Sequence, residues 1–117
     1  MKDLKISLLM DFYGNILTDK QLDALELYYN EDLSLAEIAQ HTKITRQGVR
    51  DNIKRGENQL FKLESEIGLA GKFAKVSAIC DIVNNYVQKL LEMELGESAN
   101  EYLADIIYQL KQIEDIV

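Results

Sequence analysis

Six basic side chains fall between positions 43 and 62: Lys43, Arg46, Arg50, Lys54, Arg55 and Lys62. Two acids, Asp51 and Glu57, share that stretch, so it carries net +4. The other positions hold seven bases against eighteen acids, net −11. A concentrated cationic island in an acidic chain suits binding of a polyanion at one place on the surface. Arginine can grip a guanine edge with two hydrogen bonds and glutamine an adenine edge, which fits Arg46, Gln47 and Arg50. Lys54, Arg55 and Lys62 fit phosphates, contacts that position a protein without reading sequence. Thr45, just ahead, can cap a helix whose remaining free N–H groups add a weak anion site. With Lys43, these eight residues are the candidate nucleic-acid contacts.

Such side chains need a frame that presents them, and residues 33 to 60 spell one out. Ser34 and Glu37 have the spacing of a capping box, serine bonding forward and glutamate back. The helix they start is short, from Leu35 to about His41, with Leu35, Ile38 and Ala39 on one face. Thr42-Lys43-Ile44 turns the chain and Thr45 opens a second helix with Val49, Ile53, Leu60 and Leu63 inward. Ala39 is small enough for two helices to cross steeply, and Ile44 can plug the core from the turn. The outward residues at the start of the second helix are then Arg46, Gln47 and Arg50, where a major groove would lie. A solvated basic face alone carries no such meaning; the capping box, Ala39, Ile44, Thr45, Val49 and Ile53 together predict a helix-turn-helix. Gly48 and Gly56 each weaken the second helix by about 1 kcal/mol relative to alanine. Both allow close backbone approach, to a neighbouring helix or to a phosphate.

The remainder also reads as helix. Residues 3 to 13 place Leu4, Leu8, Leu9 and Phe12 on a stripe broadened by Ile6 and Met10, and Gly14-Asn15 ends it. Thr18 caps a helix with Leu22, Leu25 and Tyr29 inward, and Asn30-Glu-Asp32 makes a turn. Gly68 and Gly71 mark a boundary, giving a helix-turn-helix domain over 1–67 and an acidic helical hairpin over 68–117. In the latter, Phe73, Val76, Cys80, Val83, Val87 and Leu90 are spaced 3-4-3-4-3. After a second expected box, Ser98 to Glu101, the residues Leu103, Ile106, Leu110, Ile113 and Val117 repeat the pattern. Narrow seams of this kind pair helices. Ile79, Ile82, Tyr86, Leu91, Tyr102 and Ile107 lie off the seams, so the hairpin must pack on the first domain or on a second copy. Homodimerisation through the seam residues is the expectation.

Bulk properties bound the alternatives. A chain of 117 residues with 47% hydrophobic content can bury one core, or one small core plus an appendage, and is too apolar for disorder. Proline is absent, which favours an all-α chain. Cys80 is the single cysteine, expected as a small buried hydrophobe; no metal or cofactor is implied. His41, the one histidine, suits a helix C-terminus. No phosphate-cradling loop, zinc-protease motif or Ser/His/Asp arrangement is present, so an enzyme is not expected. The acids at 92, 94, 97 and 101 suit a solvated helix end rather than an acid–base pair. Nothing approaches a membrane span, so a soluble cytoplasmic protein without membrane insertion is expected.

The pattern from Leu35 through Ile44-Thr-Arg46 to Arg55 and Leu60 resembles region 4 of bacterial sigma factors, closest to the extracytoplasmic-function type. Asn52 stands where that family often has arginine, and Lys43 where many helix-turn-helix proteins have glycine. The chain as a whole resembles the YlxM family, small helix-turn-helix proteins of Gram-positive bacteria. The segments carrying the match are Leu17-Thr-Asp-Lys-Gln21, Leu27-Tyr-Tyr29, Leu35-Ala-Glu-Ile-Ala39, Thr45-Arg-Gln47 and Asp51-Asn-Ile-Lys-Arg55; the tail matches in acidic helical character. The resemblance implies an accessory role in the signal recognition particle pathway, with the particle's small structured RNA, its GTPase or the receptor as partner. Two other readings fit the residues: a dimeric DNA-binding transcription regulator, and a protein adaptor that meets the GTPase without touching nucleic acid.

Overall fold

The structure, a computed structural model, describes residues 2–116; the seam position Val117 lies outside them. Among the described residues the chain is all-α, with helices α1 (Lys5–Tyr13), α2 (Asp19–Leu25), α3 (Leu35–Thr42), α4 (Arg46–Ile67), α5 (Leu69–Glu92) and α6 (Glu97–Ile116). They form two compact units that divide between Ala70 and Gly71.

In the first unit α4 is the spine on which α1, α2 and α3 pack. Val49, Ile53, Gly56 and Leu60 are its buried residues, recurring every third or fourth position as one face of a helix requires. They meet Ile38 of α3, Ala24 and Leu25 of α2, and Leu9, Met10 and Tyr13 of α1 in a single core. Each large aliphatic side chain so buried contributes roughly 1.5–3 kcal/mol before entropy is counted.

The face of α1 differs from the expected stripe. Ile6, Leu9, Met10 and Tyr13 are buried, whereas Leu4 is 84% exposed and Leu8 is exposed too. This helix is apolar on most sides, so hydrophobic spacing alone does not select the inward face. Tyr13 supplies the missing selection. Its hydroxyl donates to Glu64 Oε1 at 2.6 Å and accepts the Leu69 N–H at 3.0 Å, while the Ala70 N–H donates to the same carboxylate oxygen at 3.0 Å. Two otherwise free donors at the start of α5 are thereby satisfied. Leu69 and Ala70, beyond the boundary expected from Gly68, thus belong to the first unit. Gly68 ends α4 with φ 69°, a left-handed conformation that glycine adopts freely.

Thr18 and Gln21 close a full capping box on α2. Its end widens into a π turn over Glu26–Asn30, with the Glu31 N–H reaching Glu26 O at 3.0 Å. That insertion turns Tyr28 and Tyr29 inward together, ring edge to ring face at 5.1 Å between centroids. The Tyr29 hydroxyl donates to Glu57 Oε1 on α4 at 3.0 Å. Burial first, and the adjoining carboxylates second, hold both Tyr13 and Tyr29 hydroxyls above the ordinary phenol range.

The second unit holds α5 from Gly71 onward and α6, joined at Met93–Gly96. On α5 the buried or half-buried positions are Phe73, Ser77, Cys80, Val83, Val87 and Leu91; on α6 they are Ala99, Leu103, Ile107 and Leu110. Leu91 and Ala99, Val87 and Leu103, Val83 and Ile107, and Cys80 and Leu110 stand at matching distances on either side of Leu95. An antiparallel pair of helices produces that mirror order. The spacing follows a straight helix of 3.6 residues per turn rather than a strict heptad, so the inward face drifts along the pair. Leu91 and Ile107 therefore turn in where Leu90 and Ile106 were expected. Val76, Leu90, Ile106 and Ile113 remain exposed at 38–39%. The expected box from Ser98 to Glu101 does not start α6, which begins at Glu97 with the Asn100 N–H bonded to Gly96 O at 3.1 Å.

Candidate nucleic-acid interface

Ser34 Oγ accepts the Glu37 N–H at 3.1 Å and Glu37 Oε1 accepts the Ser34 N–H at 3.1 Å, so α3 starts on the box its sequence announces. It ends at Lys43, whose backbone is left-handed with φ 60° and ψ 34°. A non-glycine residue there is strained by roughly 1 kcal/mol, and the turn keeps lysine regardless. Ile44 follows, half-buried against the core, and Thr45 Oγ1 caps α4 by accepting the Gly48 N–H at 3.0 Å. The cap leaves the preceding N–H groups of α4 free of intrahelical partners.

Gly48 and Gly56 find their use inside the fold. A Cβ on Gly48 would stand 2.7 Å from Ile44 Cγ2, and one on Gly56 would stand 2.6 Å from Leu25 Cδ1. The first lets the plug residue fold back on its own helix. The second lets α2 ride against α4. Close approach of the turn residue Ile44 in the one case and of α2 in the other accounts for both glycines without a phosphate.

With Val49, Ile53 and Leu60 inward, helix geometry places Arg46, Arg50 and Lys54 in one outward row, each a turn from the next, with Gln47 beside it. All four are exposed. Gln47 Nε2 donates to Asp51 Oδ1 at 3.1 Å, which orients the carboxamide. The structure thus gathers Lys43, Thr45, Arg46, Gln47, Arg50 and Lys54 at the turn and the first three turns of α4. It does not bring Arg55 and Lys62 to that row. They face another side of α4 and line a groove of about 500 Å³ with Asn58 and Gln59, opposite Ile16, Thr18 and Gln21. The groove's two walls, at 16–21 and 55–62, lie far apart in sequence and give no compact motif; the i, i+3, i+4, i+7 spacing from Arg55 to Lys62 is the one local signal.

Like charges four residues apart on a helix destabilise it by about 0.2–0.5 kcal/mol per pair. Arg46, Arg50 and Lys54 form two such pairs, and none of these three makes an ion pair among the described residues. By contrast Lys2 is fully engaged: Nζ bonds Tyr28 O at 2.6 Å and Asp32 Oδ1 at 2.8 Å and lies over the Tyr28 ring. That ammonium holds the Asp32 carboxyl below the usual carboxylate range. What sets the α4 cations apart is their clustering on one helix, where several can meet an external anion together.

The seam residues assigned to dimerisation divide by burial. Cys80, Val87 and Leu103 are buried, Phe73, Val83 and Leu110 half-buried, and Val76, Leu90, Ile106 and Ile113 exposed. Ile79, Ile82 and Tyr86, off the seam, are the more exposed at 54–62%. Among the described residues no His, Cys, Asp and Glu gather as a metal site, and no helix is long and apolar enough to cross a membrane.

A capped two-helix unit with a tight turn and an outward cationic start to its second helix defines the class: a helix-turn-helix protein. A family model described as "Putative helix-turn-helix protein, YlxM / p13 like" matches residues 1–99, and the chain belongs to that family, UPF0122. A UPF0122 protein of Acetivibrio thermocellus is 53% identical over 72 residues, 62% of each chain. One from Clostridium perfringens (strain SM101 / Type A) is 49% identical over 105 residues, 88% of this chain and 94% of the relative. One from Geobacillus sp. (strain WCH70) is 38% identical over 113 residues, 97% of each. The family is described by its helix-turn-helix and not by a catalytic activity.

Proposed function

We propose that this protein is a non-catalytic nucleic-acid-binding accessory factor of protein targeting, acting in the signal recognition particle pathway. The first turns of α4 are its contact surface. The observation that carries the binding claim is the exposed, unpaired row Arg46, Arg50 and Lys54 on an otherwise acidic chain. Arg46, Gln47 and Arg50 meet base edges or the walls of a widened groove, and Lys43 and Lys54 neutralise phosphates. The deep, narrow major groove of A-form RNA excludes such a helix, so on RNA the contact falls at a bulge or loop. The pathway assignment rests on the family resemblance and makes the particle's small structured RNA the ligand, with its GTPase or the receptor as protein partner.

The same reading includes a homodimer joined through residues 71–117. Support comes from the apolar side chains that unit leaves exposed, among them Ile79, Ile82 and Tyr86.

Crosslinking in cells followed by sequencing of the bound nucleic acid tests the reading. Enrichment of the targeting-particle RNA is expected, and its loss when Arg50 and Lys54 are both changed to Glu. Enrichment of promoter DNA would replace the targeting role with transcription control, and recovery of neither would favour a protein adaptor.

A further inference from the structure

The groove between the start of α2 and the middle of α4 is a second place where this chain can take a ligand. Arg55, Asn58, Gln59 and Lys62 form one stripe of α4 along its wall, and no acid lines it. Neither cation makes an ion pair among the described residues. Gln21 Oε1 accepts the Thr18 N–H at 3.3 Å, which leaves its NH₂ group free to donate into the groove. Asn58 and Gln59 make no side-chain hydrogen bond among the described residues, so each offers both a donor and an acceptor. Ile16, 57% exposed, adds an apolar surface at the edge. Two cations, three carboxamides and one aliphatic face match a phosphate, a base edge and a base face. The volume of about 500 Å³ lies within the ~300–1,000 Å³ of small-ligand sites.

Helix geometry limits what can reach it. Arg55 and Lys62 stand well over a quarter turn around α4 from Arg46 and Arg50, so a duplex seated on the latter pair does not cover both sides. A nucleotide that leaves the duplex can pass from Lys54 to its neighbour Arg55 and enter. We propose that this groove holds one unpaired nucleotide of the strand whose paired part lies on the Arg46–Lys54 row. Arg55 and Lys62 take the phosphate, Asn58 and Gln59 the base edge, and Ile16 one face of the base. Unpaired bases present for such contacts the Watson–Crick edges that pairing otherwise occupies.

The proposal rests on the nucleic-acid reading above, and the test separates the two. Anisotropy titrations use the full chain with four probes: a fully paired RNA hairpin, the same hairpin with a single unpaired 2-aminopurine nucleotide, and the DNA form of each. The native chain is expected to bind a bulged probe about tenfold more tightly than its paired form, with a change in 2-aminopurine emission. Asn58→Ala with Gln59→Ala is expected to remove that preference and the emission change, leaving the paired probes within about twofold. A preference confined to RNA or shared by DNA identifies the strand. Should the alanine pair unfold, Asn58→Leu with Gln59→Met keeps the approximate shapes and the charge while removing the hydrogen-bonding groups, with the same expected loss. On RNA a bulge also opens the major groove to α4, so the variants decide: a bulge preference that they retain, or an equal loss on both probes, overturns the groove assignment and leaves the proposed function standing. Equal binding of bulged and paired probes by the native chain overturns the groove assignment too, and on RNA also the contact of α4 at a bulge. No binding to any of the four probes overturns both.

Discussion

Lys43 carries a conflict that its turn does not need. Its left-handed backbone suits glycine, yet the position holds a long cation beside Arg46. Lys43→Gly is expected to stabilise the fold by about 1 kcal/mol in thermal or urea unfolding while weakening nucleic-acid binding. A variant that gains stability and binds unchanged would make Lys43 a neutral residue of the turn. The tyrosines give a pH signature. A phenol whose folded pKa is raised keeps its stabilising effect below the unfolded pKa, near 10, and loses it as pH rises toward the folded value. Stability is therefore expected to fall above about pH 10, and Tyr29→Phe to flatten that fall in unfolding scans at pH 8 to 11. An unchanged alkaline slope would remove Tyr29 from the account.

Among the elements, α3 and α4 were the most legible in sequence because their signals are local. Ser34 with Glu37, Thr45, and the Val49–Ile53–Leu60 spacing each fix one boundary or one face, and each is found in its expected role. The face of α1 was not legible, since the partner that orients Tyr13 is Glu64, 51 residues away. Nor was the drift of α5 and α6 toward Leu91 and Ile107, because heptad and 3.6-residue spacings diverge only over several turns. The double meaning of Gly56 also needed the fold: its neighbour Leu25 belongs to another helix. Gly56→Ala adds a methyl group 2.6 Å from Leu25 Cδ1. It is expected to destabilise the protein by about 1–2 kcal/mol, overpacking outweighing the roughly 1 kcal/mol gain in helix propensity. An unfolding midpoint at or above that of the native chain would show that α2 yields there.

For the whole molecule, the sequence located the cationic island but not its division into an outward row and a separate groove, which follows from how α2 lies along α4. Net charge −7 means that the rest of the surface repels a polyanion, so orientation on the ligand is set by α4. In the proposed dimer, Ile79→Asp with Ile82→Asp is expected to shift sedimentation toward the monomer without loss of helix, as both side chains are more than half exposed. A variant that sediments as the native chain does would place self-association elsewhere. The central claim, that the Arg46–Arg50–Lys54 row binds nucleic acid, is tested most directly by affinity as a function of salt for the native chain and for Arg50→Glu with Lys54→Glu. Log K is expected to fall linearly with log salt, and the variant to bind far more weakly, with a slope shallower by about one phosphate contact. Equal affinity and equal slope for the two chains would contradict it.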